Sequence, residues 1–212
     1  MHNDLAVSYP IMEHFYTLQG EGAYAGYAAY FIRLGGCDVG CVWCDVKESW
    51  DAAAHPQVTV ATLLNYVLES KTNRVVITGG EPCMYDLHAL CNALHAHGLK
   101  VHLETSGAHE IRGNFDWVTL SPKKFKAPLA SAYAKADELK IIVFNKHDFD
   151  WAKEHQALVH AKSALYLQTE WEKRDSNYNL IIDFTALHLD IDNGYDAFSL
   201  DNTRNTLSDQ PG

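Results

Sequence analysis

Short apolar runs, each closed by a polar, glycine-bearing or proline-bearing motif, recur along this chain with helical patterns between them. Residues 27–34 (YAAYFIRL) lead into a glycine-cysteine loop, and residues 74–78 (RVVIT) end at Gly79-Gly80-Glu81-Pro82. Residues 101–103 end at Glu104-Thr105-Ser106-Gly107, 117–120 at Ser121-Pro122-Lys123, and 165–167 at Gln168-Thr169-Glu170; 139–144 is a further apolar run. Val60, Leu63, Leu64, Val67 and Leu68 have the spacing of one helix face, as do Leu87, Leu90, Cys91 and Leu94. Gly98 is a stop signal for the second, and 148–160 reads as a helix with Asp148 as N-cap. Strands alternating with helices predict a parallel sheet with crossover helices. About six such units are visible, too few for a closed eight-unit barrel. The expected fold class is therefore α/β, as a partial, open barrel, with a flat doubly wound sheet as the other arrangement the pattern allows. In both, the C-terminal ends of the strands carry the site, so motifs far apart in sequence converge on one face.

Cys37, Cys41 and Cys44 form a C-x3-C-x2-C run after the first of these strands. Three thiolates from one loop suit a cubane iron–sulfur cluster and leave its fourth iron without a protein ligand. Zinc is the competitor. It wants a fourth Cys or His to close a tetrahedron, and with 12 histidines a distant ligand is available, although no second CxxC or HxxxH pair stands nearby. The odd count of five cysteines argues against a disulfide framework. Cys91, inside a helical pattern, and Cys83 read as small buried hydrophobes.

The chain has 212 residues, 47% hydrophobic and 21% charged, which fits a single domain over 1–212 with a tail after about 188 of unassigned structure. The net charge of −10 argues against a nucleic-acid or anionic-membrane surface. Lys123, Lys124 and Lys126 are a local exception: a solvated basic face, or a contact for an anionic ligand or an acidic electron donor. No apolar run is long enough to span a bilayer, and residues 1–6 lack the features of a signal peptide. The expected location is the cytoplasm, where thiols stay reduced.

Gly79-Gly80 at a strand end lets a ligand approach the backbone closely. Alone it is also an ordinary turn with an exposed Glu. Together with the cysteine triplet, Gly79-Gly80-Glu81-Pro82 resembles the radical S-adenosylmethionine superfamily. The segment Phe15-Tyr16-Thr17-Leu18-Gln19-Gly20-Glu21-Gly22 and then Phe31-Ile32-Arg33-Leu34 narrows the resemblance to the 7-carboxy-7-deazaguanine synthase family. Glu104-Thr105-Ser106-Gly107, Ser121-Pro122-Lys123, Glu138-Leu139-Lys140 and Gln168 follow in the matching order, so the likeness covers residues 10 to 170 in outline.

The resemblance implies a homodimer with a partial (β/α)6 barrel of the radical S-adenosylmethionine type. It implies a [4Fe-4S] cluster on Cys37, Cys41 and Cys44 whose open iron chelates S-adenosylmethionine, and a flavodoxin- or ferredoxin-like reductant. The implied activity is that of a carbon–nitrogen lyase, taking 6-carboxy-5,6,7,8-tetrahydropterin to 7-carboxy-7-deazaguanine with release of ammonia, for queuosine and related deazapurines. Leu18, Gln19 and Gly20 would line the pterin site, with Glu21 beside them. Arg33 would hold the substrate carboxylate through its planar fork, and Thr78 would touch the substrate. Gly80 would contact the methionine part of the cofactor, with Glu81 nearby; Ser121 and Lys123 would reach its nucleoside or carboxylate, and Gln168 its adenosine. Trp43 would shield the cluster or the adenine. No side chain is assigned as acid or base, because cluster and cofactor carry the chemistry.

Three departures from the family pattern stand out. Asp-Thr after the third cysteine, whose Thr hydroxyl contributes to a Mg2+ site, reads Asp45-Val46 here. Valine has no oxygen and Mg2+ requires oxygen ligands, which leaves Asp45 as the candidate ligand. Gln-Pro-Glu reads Gln168-Thr169-Glu170, and the Gln-Thr-His-Lys element near the C-terminus does not align with residues 199–212, which leaves a diverged lid, a disordered end or a different substrate contact as readings of the tail. Two other readings share parts of these motifs: a glycyl-radical-enzyme activating enzyme and a non-catalytic zinc-binding α/β module. Leu18–Glu21 and Arg33 favour a small carboxylated substrate over the first.

Overall fold

The computed structural model describes residues 4–187 and 199–201. Strand β1 (Ser8–Leu18) pairs antiparallel with β2 (Ala28–Leu34), and the short β3 (Gln57–Thr59) pairs antiparallel with the start of β1. From β2 the sheet continues parallel through β4 (Arg74–Gly79), β5 (Lys100–Thr105), β6 (Trp117–Leu120), β7 (Glu138–Val143), β8 (Ala164–Thr169) and β9 (Ser199–Asp201). The strand order β3-β1-β2-β4-β5-β6-β7-β8-β9 leaves β3 and β9 as the edges among the described residues. The partial, open α/β barrel is thus the arrangement present, and the flat doubly wound alternative is set aside.

Crossovers run through α1 (Val60–Glu69) from β2 to β4, α2 (His88–Ala96) from β4 to β5, and α3 (Ala130–Lys135) from β6 to β7. α4 (Asp148–Gln156) joins β7 to β8, and α5 (Arg174–Leu187) follows β8. The β5–β6 crossover has no helix. Residues 106–116 form an irregular segment that buries Ile111 and offers the Arg112 carbonyl to the Leu87 amide at the start of α2.

The parallel strands alternate strictly, because successive side chains leave opposite faces. Ile32, Leu34, Val75, Ile77, Val101, Leu103, Leu120, Leu139, Ile141 and Leu167 face the helices and are fully buried in one large core. The intervening residues face the barrel interior, where Ala29, Phe31 and Val76 form a small apolar cluster and Ile142 lines the cavity. Elsewhere this inner face carries Arg74, Thr78, His102, Glu104, Glu138, Lys140 and Gln168. A polar interior forces the chain to supply partners for each of these groups.

Those partners come largely from the β1–β2 connection, which folds into the barrel. At the base, the Arg74 guanidinium lies 4.5 Å from the Tyr24 ring centroid and 4.9 Å from that of Tyr27, and Arg74 Nε donates to His102 Nε2 at 3.3 Å. Tyr24 also meets Trp117 edge-on, with centroids 5.0 Å apart. Buried Glu138 accepts the Ala23 amide at 3.0 Å and Trp117 Nε1 at 3.3 Å. Gly22 has φ +69, and a Cβ there would overlap the Glu138 carboxylate, so only glycine seats this turn.

Several expectations are corrected. Leu68 belongs to the solvent face of α1, at 47% exposure, because the helix buries only the Val60, Leu63, Leu64 and Val67 stripe. Asp148 is the first residue of α4, not its cap; its Oδ2 instead accepts the Phe144 and Asn145 amides, each at 2.7 Å, and α4 ends at Gln156, short of 160. Strands β1 and β3 and helices α3 and α5 were not anticipated. The tail after 188 lies outside the described residues except for β9. No helix among the described residues is long and apolar enough to cross a membrane.

Candidate active site

A cavity of about 800 Å3 opens inside the barrel at the C-terminal strand ends. Its floor belongs to the β1–β2 connection. Gln19 Nε2 donates to Glu104 Oε1 at 2.9 Å, and its own Oε1 accepts the Gly20 amide at 2.9 Å. Thr78 Oγ1 donates to the other Glu104 oxygen at 3.0 Å. Glu104 therefore fixes Gln19 and Thr78 together, from two separate elements. Glu21 pairs with the buried Lys140 ammonium and accepts Gln168 Nε2 at 2.8 Å. The strand register sets Arg33 beside Thr78, and Arg33 Nη1 lies 3.2 Å from Glu13 Oε1. Two residues that line this space each keep a buried polar atom without a hydrogen-bond partner: Arg33 Nε and Gln168 Oε1.

The cysteine loop forms the mouth. Gly36 (φ +98) turns the chain out of β2, its amide donates to the Ser49 carbonyl at 2.6 Å, and the Cys37 amide donates to Trp50 at 3.2 Å. Cys37, Cys41 and Cys44 pack with Val39 and Ala108. Asp38 ties the loop down from outside: Lys126 Nζ donates to it at 2.7 Å and His109 Nε2 lies 2.9 Å away. Burial pushes the Cys41 thiol up to about 11, with Lys123 opposing, and raises that of Cys37. A metal is what would hold such thiols as thiolates.

The Gly79-Gly80-Glu81-Pro82 turn braces the loop from behind. The Gly80 amide donates to the Leu34 carbonyl and the Glu81 amide to the Gly36 carbonyl, both at 2.8 Å. A Cβ on Gly80 would overlap the Gly36 carbonyl, so the second glycine is required by close approach. The Glu81 side chain lies outside the cavity lining. It is 1% exposed and accepts the Cys83 amide at 3.0 Å, Thr105 Oγ1 at 2.5 Å and the Ser106 amide at 2.8 Å, with the Ser106 hydroxyl as a fourth donor.

Opposite the cysteines, Lys123 Nζ donates to Ser121 Oγ at 2.7 Å and sits 5.5 Å from the Trp43 ring centroid. Burial, reinforced by Lys140, lowers its pKa to about 8. The three lysines expected to share a basic face diverge: Lys123 lines the cavity, Lys124 pairs with Asp148, and Lys126 pairs with Asp38. Leu18, Gln19, Gly20, Glu21, Arg33, Thr78, Trp43, Gly80, Ser121, Lys123, Gln168, Asp45, Val46 and the three cysteines all line the one cavity; Glu81 alone of the expected site residues does not. Glu104 and Lys140 line it too and had no assigned role. Their signal was a charged residue at alternate positions of an otherwise apolar strand.

This donor set fits two cofactors. Three thiols on one loop beside a glycine cradle suit a [4Fe-4S] cluster, which takes one cysteine per iron; among the described residues no three His, Cys, Asp or Glu side chains are gathered to hold a single ion, as zinc would need. Gly80, Lys123 and Gln168 line this end of the cavity and offer close backbone approach, a cation and an amide for an amino-acid nucleoside. Mg2+ does not fit at position 46. The Val46 side chain has no oxygen, and its carbonyl already accepts the Ser49 amide at 3.0 Å and the Ser49 hydroxyl at 2.6 Å.

A polar-lined, open parallel barrel with a three-cysteine mouth and a glycine brace defines an enzyme of the radical S-adenosylmethionine class, and the family model described as Radical SAM superfamily matches residues 31–154. Curated relatives narrow this. A 7-carboxy-7-deazaguanine synthase of Synechocystis sp. is 54% identical over 82% of this chain and 83% of its own. Another, of Flavobacterium psychrophilum, is 52% identical over the same shares. The crystal structure of QueE from Escherichia coli superposes with a TM-score of 0.76 at 34% identity, covering 85% of this chain and 90% of that one. The chain belongs to the 7-carboxy-7-deazaguanine synthase family. The activating-enzyme and zinc-module readings are thereby set aside.

Proposed function

We propose that this chain converts 6-carboxy-5,6,7,8-tetrahydropterin to 7-carboxy-7-deazaguanine with release of ammonia, in queuosine and deazapurine synthesis. The observation that carries the reading is the cavity floor: Gln19 and Thr78 are both held by Glu104, beneath the cysteine mouth. Cys37, Cys41 and Cys44 would hold a [4Fe-4S] cluster, and Gly80, Ser121, Lys123 and Gln168 the S-adenosylmethionine, which together supply hydrogen-atom abstraction.

The chain's own part is to bind, orient and shield. Gln19 carries both donor and acceptor functions, which suits the amide edge of a pterin. Glu104 fixes which way Gln19 and Thr78 point. The Arg33 guanidinium, which lines the cavity, donates to a carboxylate oxygen of the substrate. Lys140 balances Glu21, so the floor does not repel that carboxylate. Trp43 lines the mouth, held edge-on against Phe125 with centroids 6.0 Å apart, where it limits water. Kinship with the synthases also supports a homodimer of single-domain chains in the cytoplasm, reduced by a flavodoxin- or ferredoxin-like protein.

Anaerobic cluster reconstitution followed by turnover with the carboxypterin tests the proposal. Deazaguanine and 5′-deoxyadenosine are expected together. If 5′-deoxyadenosine forms and no deazaguanine does, the substrate assignment fails while the radical class stands.

A further inference from the structure

We infer that this chain works without a divalent cation in its substrate site. The inference rests on the reaction proposed above. Mg2+ demands a near-octahedral shell of oxygens at about 2.0–2.1 Å and gives up water reluctantly, so each protein ligand counts. The resemblance puts a Thr hydroxyl at position 46, and here a valine occupies it.

The local backbone closes off the nearest substitute, the Val46 carbonyl. Val46 precedes a 3-10 turn (Lys47–Ser49) with φ −135 and ψ 56, and its carbonyl takes two hydrogen bonds from Ser49. Those bonds fill both lone pairs of that oxygen. Ser49 is 2% exposed, and its hydroxyl is held onto the same carbonyl within the turn. Breaking this turn to free an oxygen would strand a buried hydroxyl and an amide. Position 46 thus offers a metal neither side-chain nor backbone oxygen.

The positive charge at this wall belongs to the protein instead. Lys123 lies within electrostatic reach of Asp45, Glu21 and Cys41, and its ammonium lines the same cavity. Asp45 is the one carboxylate left at this wall, and the Lys123 ammonium within its electrostatic reach offsets its charge, attracts an anionic ligand and opposes entry of a cation there.

The test uses the reconstituted holoenzyme with S-adenosylmethionine and the carboxypterin, desalted free of divalent ions, with iron assayed to show that the cluster survives. The expected result is the same turnover with and without added Mg2+, and an undiminished aqueous Mn2+ signal in electron paramagnetic resonance when Mn2+ is the probe. The Val46→Thr variant, which returns a hydroxyl to this place, is expected to bind Mn2+ and to respond to Mg2+. Wild-type turnover that requires Mg2+, or a wild-type chain that binds Mn2+ at the site, overturns the inference. So does indifference to both ions in Val46→Thr, since position 46 would then not decide the matter. Absence of deazaguanine under every condition overturns the proposed reaction instead, and the inference falls with it.

Discussion

The Glu81 carboxylate turns away from the cavity and accepts the Ser106 amide at 2.8 Å, joining the end of β4 to the end of β5. With the Cys83 amide and two hydroxyls also donating to it, four donors depend on one buried acceptor. Glu81→Gln replaces an acceptor oxygen by a donor amine that faces donors. Loss of about 3 kcal/mol is expected, since each stranded buried group costs about 1–3 kcal/mol. Urea unfolding of the cluster-free variant checks the stability, and iron content after reconstitution checks whether the mouth has shifted.

Gly80→Ala drives a methyl into the Gly36 carbonyl that precedes Cys37. Neither backbone can yield without moving the cysteine loop. The variant is expected to fold, to retain less iron per chain, and to bind S-adenosylmethionine more weakly. Iron assay and equilibrium dialysis measure both; wild-type values in each would show that the loop tolerates the shift.

His102 sits 5% exposed at the barrel base, where burial and then the Arg74 guanidinium lower its pKa to about 4. The unfolded chain takes up a proton near pH 6.5, while the folded chain refuses it until about pH 4. Its contribution is therefore complete above pH 6.5 and is lost as pH falls through that window. His102→Gln, whose oxygen can still accept from Arg74, is expected to lose less stability between pH 7 and pH 4.5, by about 2 kcal/mol. Parallel slopes for the two proteins in urea unfolding would remove His102 as the cause.

Lys140→Met removes the buried cation from the partly buried Glu21 carboxylate. Breaking a buried pair from one side costs about 3–5 kcal/mol. The double variant Lys140→Met/Glu21→Gln is expected to recover much of the stability but not the substrate affinity, because the floor charges are gone. A thermodynamic cycle on melting, read beside KM for the carboxypterin, separates the two effects.

The parallel strands were legible because each sets aliphatic residues on its core face and stops at a polar or glycine-bearing motif, and β6 falls on residues 117–120 as expected. β1 was not. Its burial alternates only weakly, and Tyr16 and Leu18 are about half exposed, so its hydrophobic pattern carries little sign of a pairing partner. α5 carries buried Asn177 amid Ile181 and Phe184, and Asn177 Nδ2 donates to the Val143 and Phe144 carbonyls; a polar residue in the core stripe blurs the helical period. Glu81 shows a different limit. The Gly-Gly-Glu-Pro motif signals where a ligand comes near the backbone. The direction of its carboxylate depends on Thr105 and Ser106, which only the folded register brings alongside.

The floor and the mouth of the barrel come from separate stretches of chain. Gln19 and Glu21 hang from a loop anchored at the base by Tyr24, Arg74 and Glu138, whereas the cysteines are held by Gly36, Gly80 and Asp38 at the other end. The molecule is in that sense a socket with an interchangeable inner plate. Recasting residues 19–27, with the base residues that seat them, is a route to admitting other carboxylated heterocycles while the radical-generating end stays as it is.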